Sequence, residues 1–198
     1  MEIPYTHGGD IYSRPIKMDY SANINPLGLP EGVKRELLCC VEENVCCIYP
    51  DSACRSLKMA LSEIHHVPKE WISCGNGAAD LIFALVAALR PRHALLLAPS
   101  FLEYSQALHL WGCETDSFML REDEDFSLDP FRLKEALFRA RAEKQPYDIL
   151  FLCNPNNPTG LPVKKEIVEE IGVVCKETGT WLAVDECFCD FLDEPEAY

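Results

Sequence analysis

The run Ile149-Leu150-Phe151-Leu152-Cys153, continued by Asn154-Pro155-Asn156-Asn157-Pro158-Thr159-Gly160, constrains this chain more than any other stretch. Five apolar residues in a row read as a strand buried on both faces, and the prolines and asparagines that follow stop it abruptly. A helix pattern resumes at Val163 and runs to about Glu177, where Gly179 ends it. Trp181-Leu182-Ala183-Val184 is a second buried strand, and it ends on Asp185-Glu186. A polar turn at the carboxyl end of such a strand is where an open α/β sheet places its ligand. The proline rings stiffen the turn, and the Asn157 amide can both donate and accept. Asn-Pro-Thr-Gly alone is an ordinary turn. An amide and a carboxylate delivered by two strand ends to one rim are far more specific.

The same alternation extends upstream. A short strand is expected at Trp71–Cys74, and Gly75-Asn76-Gly77 turns into a helix over Ala78–Leu89 that is apolar nearly all round and so should be buried. Ala94–Ala98 is a strand ending at Pro99-Ser100, Leu102–Trp111 a helix, and Glu114–Met119 a strand. Arg121–Asp125 is a charged, solvated loop. Asp129 opens a helix to about Ala142, with a carboxylate at the N-cap and Pro130 at the first helical position. Nearer the start, helices are expected at Glu31–Cys46 and from Ser52, a candidate N-cap. This order implies an α/β fold, three αβα layers around a largely parallel sheet. Residues 1–30 form an irregular arm rich in Gly, Pro and Asn, with Tyr5, Ile11, Tyr12, Met18 and Tyr20 as anchors to dock it; so long an irregular segment points to function. The domain reading is an arm over 1–30, part of a smaller domain, and an incomplete large domain over 31–198.

Composition narrows the partners. A formal charge of −14 argues against nucleic acid or an anionic membrane. No apolar run reaches the roughly 20 residues of a spanning helix, and Met1-Glu2-Ile3-Pro4 lacks the start of a signal peptide, so a cytoplasmic protein is expected. The 11 cysteines are odd in number and carry no Cys-x-x-Cys repeat, which favours reduced, structural thiols over a disulfide framework. Cys46-Cys47 and His65-His66 lack zinc-ligand spacing, so no metal is expected.

Gly75-Asn76-Gly77-Ala78 lies where a helix begins. Glycines admit close backbone approach, and the helix N-terminus favours a phosphate, although Gly-x-Gly alone can be no more than a tight turn. Phe101, just past a strand end, is placed to stack on a planar ring; a lone phenylalanine there can equally be core. Asp185 would face a ring nitrogen and keep it protonated. Together these features suit a flat, anionic, nitrogen-bearing cofactor, pyridoxal phosphate.

Asn-Pro-x-Asn-Pro-Thr-Gly followed by Val-Asp-Glu resembles the fold-type-I pyridoxal-phosphate enzymes, the aspartate aminotransferase superfamily. His7-Gly8-Gly9, Ser21-Ala22-Asn23-Ile24-Asn25-Pro26-Leu27-Gly28, Tyr49-Pro50-Asp51 and Asp185-Glu186-Cys187-Phe188 are similar to the subgroup of threonine-phosphate decarboxylases, which serve cobalamin biosynthesis, and of the related histidinol-phosphate aminotransferases. The resemblance implies that Gly75, Asn76, Gly77 and Ala78 hold the cofactor phosphate, with Phe101 stacking. It implies that Asn157 binds the ring hydroxyl near the substrate carboxylate, and that Asp185 pairs with the ring nitrogen. Tyr49 would reach the phosphate in a neighbouring subunit, giving a homodimer with shared sites, and His7, Gly8 and Asn23 would close over a small phosphorylated amino acid. Many aminotransferases carry a tyrosine three residues after the aspartate; here Phe188 has no hydroxyl to offer the ring, which favours the decarboxylase branch. Family members also carry a Schiff-base lysine in a Ser-x-x-Lys context after the aspartate, and no lysine of this chain stands in one. The expectation is therefore the N-terminal part of an enzyme, not catalytically competent as given, with an apolar sheet edge left open.

Overall fold

The computed structural model describes residues 8–13 and 15–194. It divides the chain into two compact units, Met1–Arg55 and Ser56–Tyr198. In the second, four strands, β1 (His93–Ala98), β2 (Glu114–Met119), β3 (Ile149–Cys153) and β4 (Trp181–Asp185), form a sheet in the order β2-β1-β3-β4. All three pairings are parallel. Side chains alternate strictly between its faces. Leu95, Leu97, Leu150 and Leu152 meet Leu133 and Leu137 of α5 (Pro130–Ala142) and Ile171 and Cys175 of α6 (Lys165–Thr178). Ala94, Leu96, Ile149, Phe151 and Cys153 meet Ile82 and Val86 of α3 (Gly77–Leu89) and Tyr104, Ala107 and Leu108 of α4 (Leu102–Leu110). The three-layer αβα architecture implied by the sequence is therefore present, with a core on each face of the sheet.

The chain leaves β1 in one direction to β2 and returns past it to β3, so the strand order reverses between β1 and β3. Their ladder runs only from Ala94↔Ile149 to Leu96↔Phe151, and the two strands part at their carboxyl ends. A crevice at such a switch point is the common ligand position in open α/β sheets.

Local chemistry sets the element ends. Asp129 caps α5 as expected, its carboxylate accepting the N–H groups of Phe131 (2.9 Å) and Arg132 (3.2 Å), and Gly179 closes α6 at φ 79°. Several expectations need correction. Trp71–Cys74 is not a strand; Pro68 opens a single 3₁₀ turn over Lys69–Trp71, and Trp71 is exposed. α3 is not buried all round, because only Ile82 and Val86 are enclosed while Leu81 and Leu85 face a cleft. α6 starts at Lys165 rather than Val163, whose backbone is occupied by Asn154.

In the first unit, α1 spans Glu31–Glu42, and its continuation is broken by left-handed Asn44 before a 3₁₀ turn at Val45–Cys47. The next helix, α2, runs over Arg55–His65 and belongs to the second unit from Ser56 onward. Asp51, not Ser52, serves its start, accepting the N–H groups of Ala53 and Arg55. Of the arm's expected anchors, Ile11, Tyr12, Met18 and Tyr20 are exposed, and Tyr5 lies outside the described residues. No helix among the described residues is long and apolar enough to cross a membrane.

Candidate functional site

The rim begins at the end of β3. Asn154 is 2% exposed and clasps one residue twice: Nδ2 donates to the Val163 carbonyl at 3.0 Å, and Oδ1 accepts the Val163 N–H at 2.7 Å. Asn156 Nδ2 donates to the Pro99 carbonyl and to Thr159 Oγ1, both at 3.1 Å. The ends of β1 and β3 are thus bridged across the switch point, and the loop is closed by Gly160 N–H to the Asn156 carbonyl at 2.6 Å. Of the three asparagines, Asn154 and Asn156 are the loop's internal scaffold, and Asn157 is half-buried.

Asp185, at the end of β4, lies in register with Cys153 of β3, and its carbonyl accepts the Asn154 N–H at 2.8 Å. Its side chain is held from two sides. Oδ2 accepts the Tyr104 hydroxyl at 2.7 Å, and Oδ1 accepts the Cys187 N–H at 3.1 Å. Tyr104 is 1% exposed, stacks on Phe151 with centroids 4.8 Å apart, and receives Phe101 edge-on at 5.6 Å. Phe101 therefore stands beside Tyr104 at the start of α4. Burial, reinforced by the Asp185 carboxylate, drives the Tyr104 phenol far above its ordinary range, so it remains a donor at any physiological pH. Desolvation pushes the Cys187 thiol up to about 12, with its hydrogen bond to Asp185 adding to it, although the residue as a whole is exposed. Desolvation also raises Cys153, opposed in part by the Tyr104 hydroxyl and the Asn157 N–H. These thiols are protonated at neutral pH and are poor nucleophiles.

Opposite Asp185 is the start of α3. Asn76 gives no side-chain cap, and its own N–H is taken by Asp80 Oδ2 at 2.9 Å. At Gly75 a Cβ would come within 2.9 Å of Leu81 Cδ2 and 3.0 Å of Asp80 Oδ2, so any larger residue would have to push these side chains aside. Gly77 takes φ +85°, and nothing lies within 4 Å of where its Cβ would stand. Open space in front of an uncapped helix start is a place for an anion.

A cleft of about 280 Å³ joins these parts. Ala78 lies at the helix end, Leu81, Ile82, Leu85, Phe151 and Ala183 form apolar walls, and Tyr104, Asp185, Glu186 and Cys187 form the polar end. Ala78 and Asp185 thus share one cavity, while Phe101 and Asn157 stand outside its walls. Sequence reasoning missed Tyr104, whose only signal was a lone aromatic one helical turn after Phe101. Gly8, Asn23 and Tyr49 belong to the first unit, where Gly8 abuts the Ser21 backbone, and Asn23 and Tyr49 are exposed. His7 lies outside the described residues. The residues present fit pyridoxal phosphate: an uncapped helix start for the phosphate, apolar walls for a flat ring, and a carboxylate at the ring's far end. Ser100 Oγ, buried beside Phe101 without a hydrogen-bond partner among the described residues, adds an unspent polar group at this rim.

Residues 15–198 match the family model for aminotransferase class I and II. The chain is 40% identical over 196 residues to threonine-phosphate decarboxylase of Salmonella typhimurium, covering 94% of this chain and 51% of that protein. It is 34% identical to histidinol-phosphate aminotransferase 1 of Carboxydothermus hydrogenoformans, covering 91% and 49%. Among solved structures, histidinol-phosphate aminotransferase of Clostridium acetobutylicum superposes with a TM-score of 0.72 at 26% identity, covering 90% of this chain and 50% of that one. The chain spans about half the length of the curated relatives it matches.

Proposed function

Because the chain belongs to the class I and II aminotransferase family, whose cofactor is pyridoxal phosphate, we propose that the protein carrying it decarboxylates O-phospho-L-threonine. The observation that carries the cofactor half of this reading is Asp185, held by Tyr104 and Cys187 at the end of the same cleft that opens on the α3 N-terminus. Bound there, the cofactor supplies an electron sink for the bond broken at the substrate α-carbon. Asp185 holds a proton on the ring nitrogen. The N–H groups at the start of α3, from Gly77 and Ala78, hold the phosphate, with Gly75 and Asn76 shaping the approach. Asn157 donates to the ring hydroxyl, and Phe101 lies against the ring. Leu81, Leu85 and Phe151 give the ring apolar walls. Tyr49 reaches the phosphate of a second copy in a homodimer, and His7, Gly8 and Asn23 close over the substrate.

The decarboxylase reading is supported by the 40% identity to the Salmonella protein and by Phe188, which has no hydroxyl to bond the ring. A histidinol-phosphate-type aminotransferase is the second reading, supported by the 34% identity to the Carboxydothermus protein. Product analysis on the whole protein separates them. With O-phospho-L-threonine, carbon dioxide and an aminopropanol phosphate are expected. A keto product with pyridoxamine phosphate would move the protein to the aminotransferases. For the 198-residue chain itself, borohydride reduction after incubation with pyridoxal phosphate is expected to label no single lysine stoichiometrically. Clean labelling of one lysine would make the chain an enzyme in its own right.

A further inference from the structure

Tyr104 sits on α4 and Asp185 at the end of β4, 81 residues apart and on opposite sides of β3. The phenol ring crosses β3 by lying on Phe151, nearly parallel to it at 12°. Phe101 meets its edge, so the ring is fixed on two sides. Around it the cluster is apolar: Leu96, Ala107, Leu108 and Phe151. A phenylalanine would fill the same volume without the desolvation that a buried hydroxyl brings. The hydroxyl is accommodated because it ends on Asp185 Oδ2. A carboxylate has about four lone-pair sites. One on each oxygen is taken here, by Tyr104 and by the Cys187 N–H, and the Cys187 thiol also bonds to the group; together they fix its plane and direction and leave a remaining lone pair for the cleft it lines.

We infer that Tyr104 is a positioning residue that fixes the Asp185 carboxylate for the ring nitrogen of a pyridine cofactor. The inference rests on the cofactor reading given above and deepens it. Tyr104 acts through Asp185: it sets where the negative charge points and, by donating to it, how strongly that charge attracts a ring N–H.

The test uses the 198-residue chain with two probes that need no lysine, pyridoxamine phosphate and its 1-deaza analogue, in which carbon replaces the ring nitrogen. Both are titrated against the unaltered chain, Tyr104→Phe and Asp185→Asn. The unaltered chain is expected to prefer pyridoxamine phosphate, and Asp185→Asn to lose that preference. Tyr104→Phe is expected to weaken pyridoxamine phosphate about tenfold while leaving the deaza analogue within about twofold, the loss of one hydrogen bond to a charged group. A folding defect weakens both probes together, so the ratio isolates the effect on the ring nitrogen. If Tyr104→Phe leaves the ratio unchanged while Asp185→Asn abolishes it, Tyr104 is structural and the inference is overturned with the cofactor reading intact. If the unaltered chain binds neither probe, or Asp185→Asn leaves the preference untouched, the cofactor reading falls and takes the inference with it.

Discussion

Replacing Asn154 by alanine isolates what holds the rim together. The amide is 2% exposed and satisfies both backbone groups of Val163, which is itself 9% exposed. Alanine removes both partners and leaves a buried N–H and a buried carbonyl unpaired. At about 1–3 kcal/mol for each orphaned group, partly relieved by entering water, the expected destabilisation is about 3 kcal/mol. That is a large share of the roughly 5–15 kcal/mol that holds a domain of this kind. Urea unfolding followed by far-ultraviolet circular dichroism reads it as a lower midpoint at an unchanged slope. Thr159→Ala is the control. Thr159 Oγ1 accepts from Asn156 Nδ2 and, weakly, from the Leu161 N–H at 3.4 Å, and Asn156 keeps its bond to Pro99 without it, so a cost under about 1 kcal/mol is expected. Asn154→Asp sharpens the test: an ionised aspartate accepts from Val163 but cannot donate to its carbonyl, whereas a protonated one can. Its deficit relative to the unaltered chain should shrink as pH falls through the carboxyl range. A cost for Asn154→Ala no greater than that of Thr159→Ala would refute the view that this clasp organises the loop.

Three further outcomes are expected. Burial pushes the Cys175 thiol up to about 11 from the usual 9.0; its contribution is complete below pH 9 and is lost as pH rises toward 11, on the order of 2 kcal/mol. Unfolding midpoints between pH 8 and 11 should fall less steeply in Cys175→Ala, and identical slopes would show that the thiol ionises alike in the native and unfolded chains. Gly75→Ala brings a Cβ against Leu81 and Asp80 Oδ2, which holds the Asn76 N–H at 2.9 Å, so these side chains must swing aside and that bond is put at risk, at about 1 kcal/mol; calorimetric titration with pyridoxamine phosphate should show weaker binding, and unaltered affinity would remove this turn from the phosphate site. In the whole protein, Phe188→Tyr restores a hydroxyl three residues after Asp185 and should raise the keto product relative to the amine; an unchanged product ratio would leave Phe188 without a bearing on reaction type.

The two central strands were legible because they are buried on both faces, whereas β4, expected to be buried, is half-exposed at the edge of the sheet and its Trp181 faces solvent. Ile149–Cys153 and Ala94–Ala98 are uninterrupted apolar runs, and β3 and β4 end at Cys153 and Asp185, where the sequence breaks their runs. Helix starts were legible where a side chain carries the cap, as Asp129 does for α5, and where a proline breaks the chain just before the helix, as at Glu31 of α1 and Leu102 of α4. At α2 the capping carboxylate stands several residues before the helix, and Cys54 takes a left-handed φ of 49° in between, so Ser52 offered a false signal. Trp71–Cys74 failed for a different reason. A short apolar stretch becomes a strand only when a neighbour supplies the ladder, and none among the described residues does so.

The candidate site divides along the same physical line. Asp185 and Gly75 could be found from sequence because each is tied to a strand end or a helix start, and chain order places those. Tyr104 could not, because its role depends on which residue lies beyond β3, and that follows from the strand order β2-β1-β3-β4 rather than from any local pattern. The apolar surplus of α3 belongs to the same class of information. Leu81 and Leu85 read as core because the helix is apolar nearly all round, yet they wall the cleft that half-buried Asp185 also lines. An apolar helix with more hydrophobic faces than packing partners is thus a sign of a cavity, and here that cavity joins the helix start suited to an anion with the carboxylate suited to a protonated ring nitrogen.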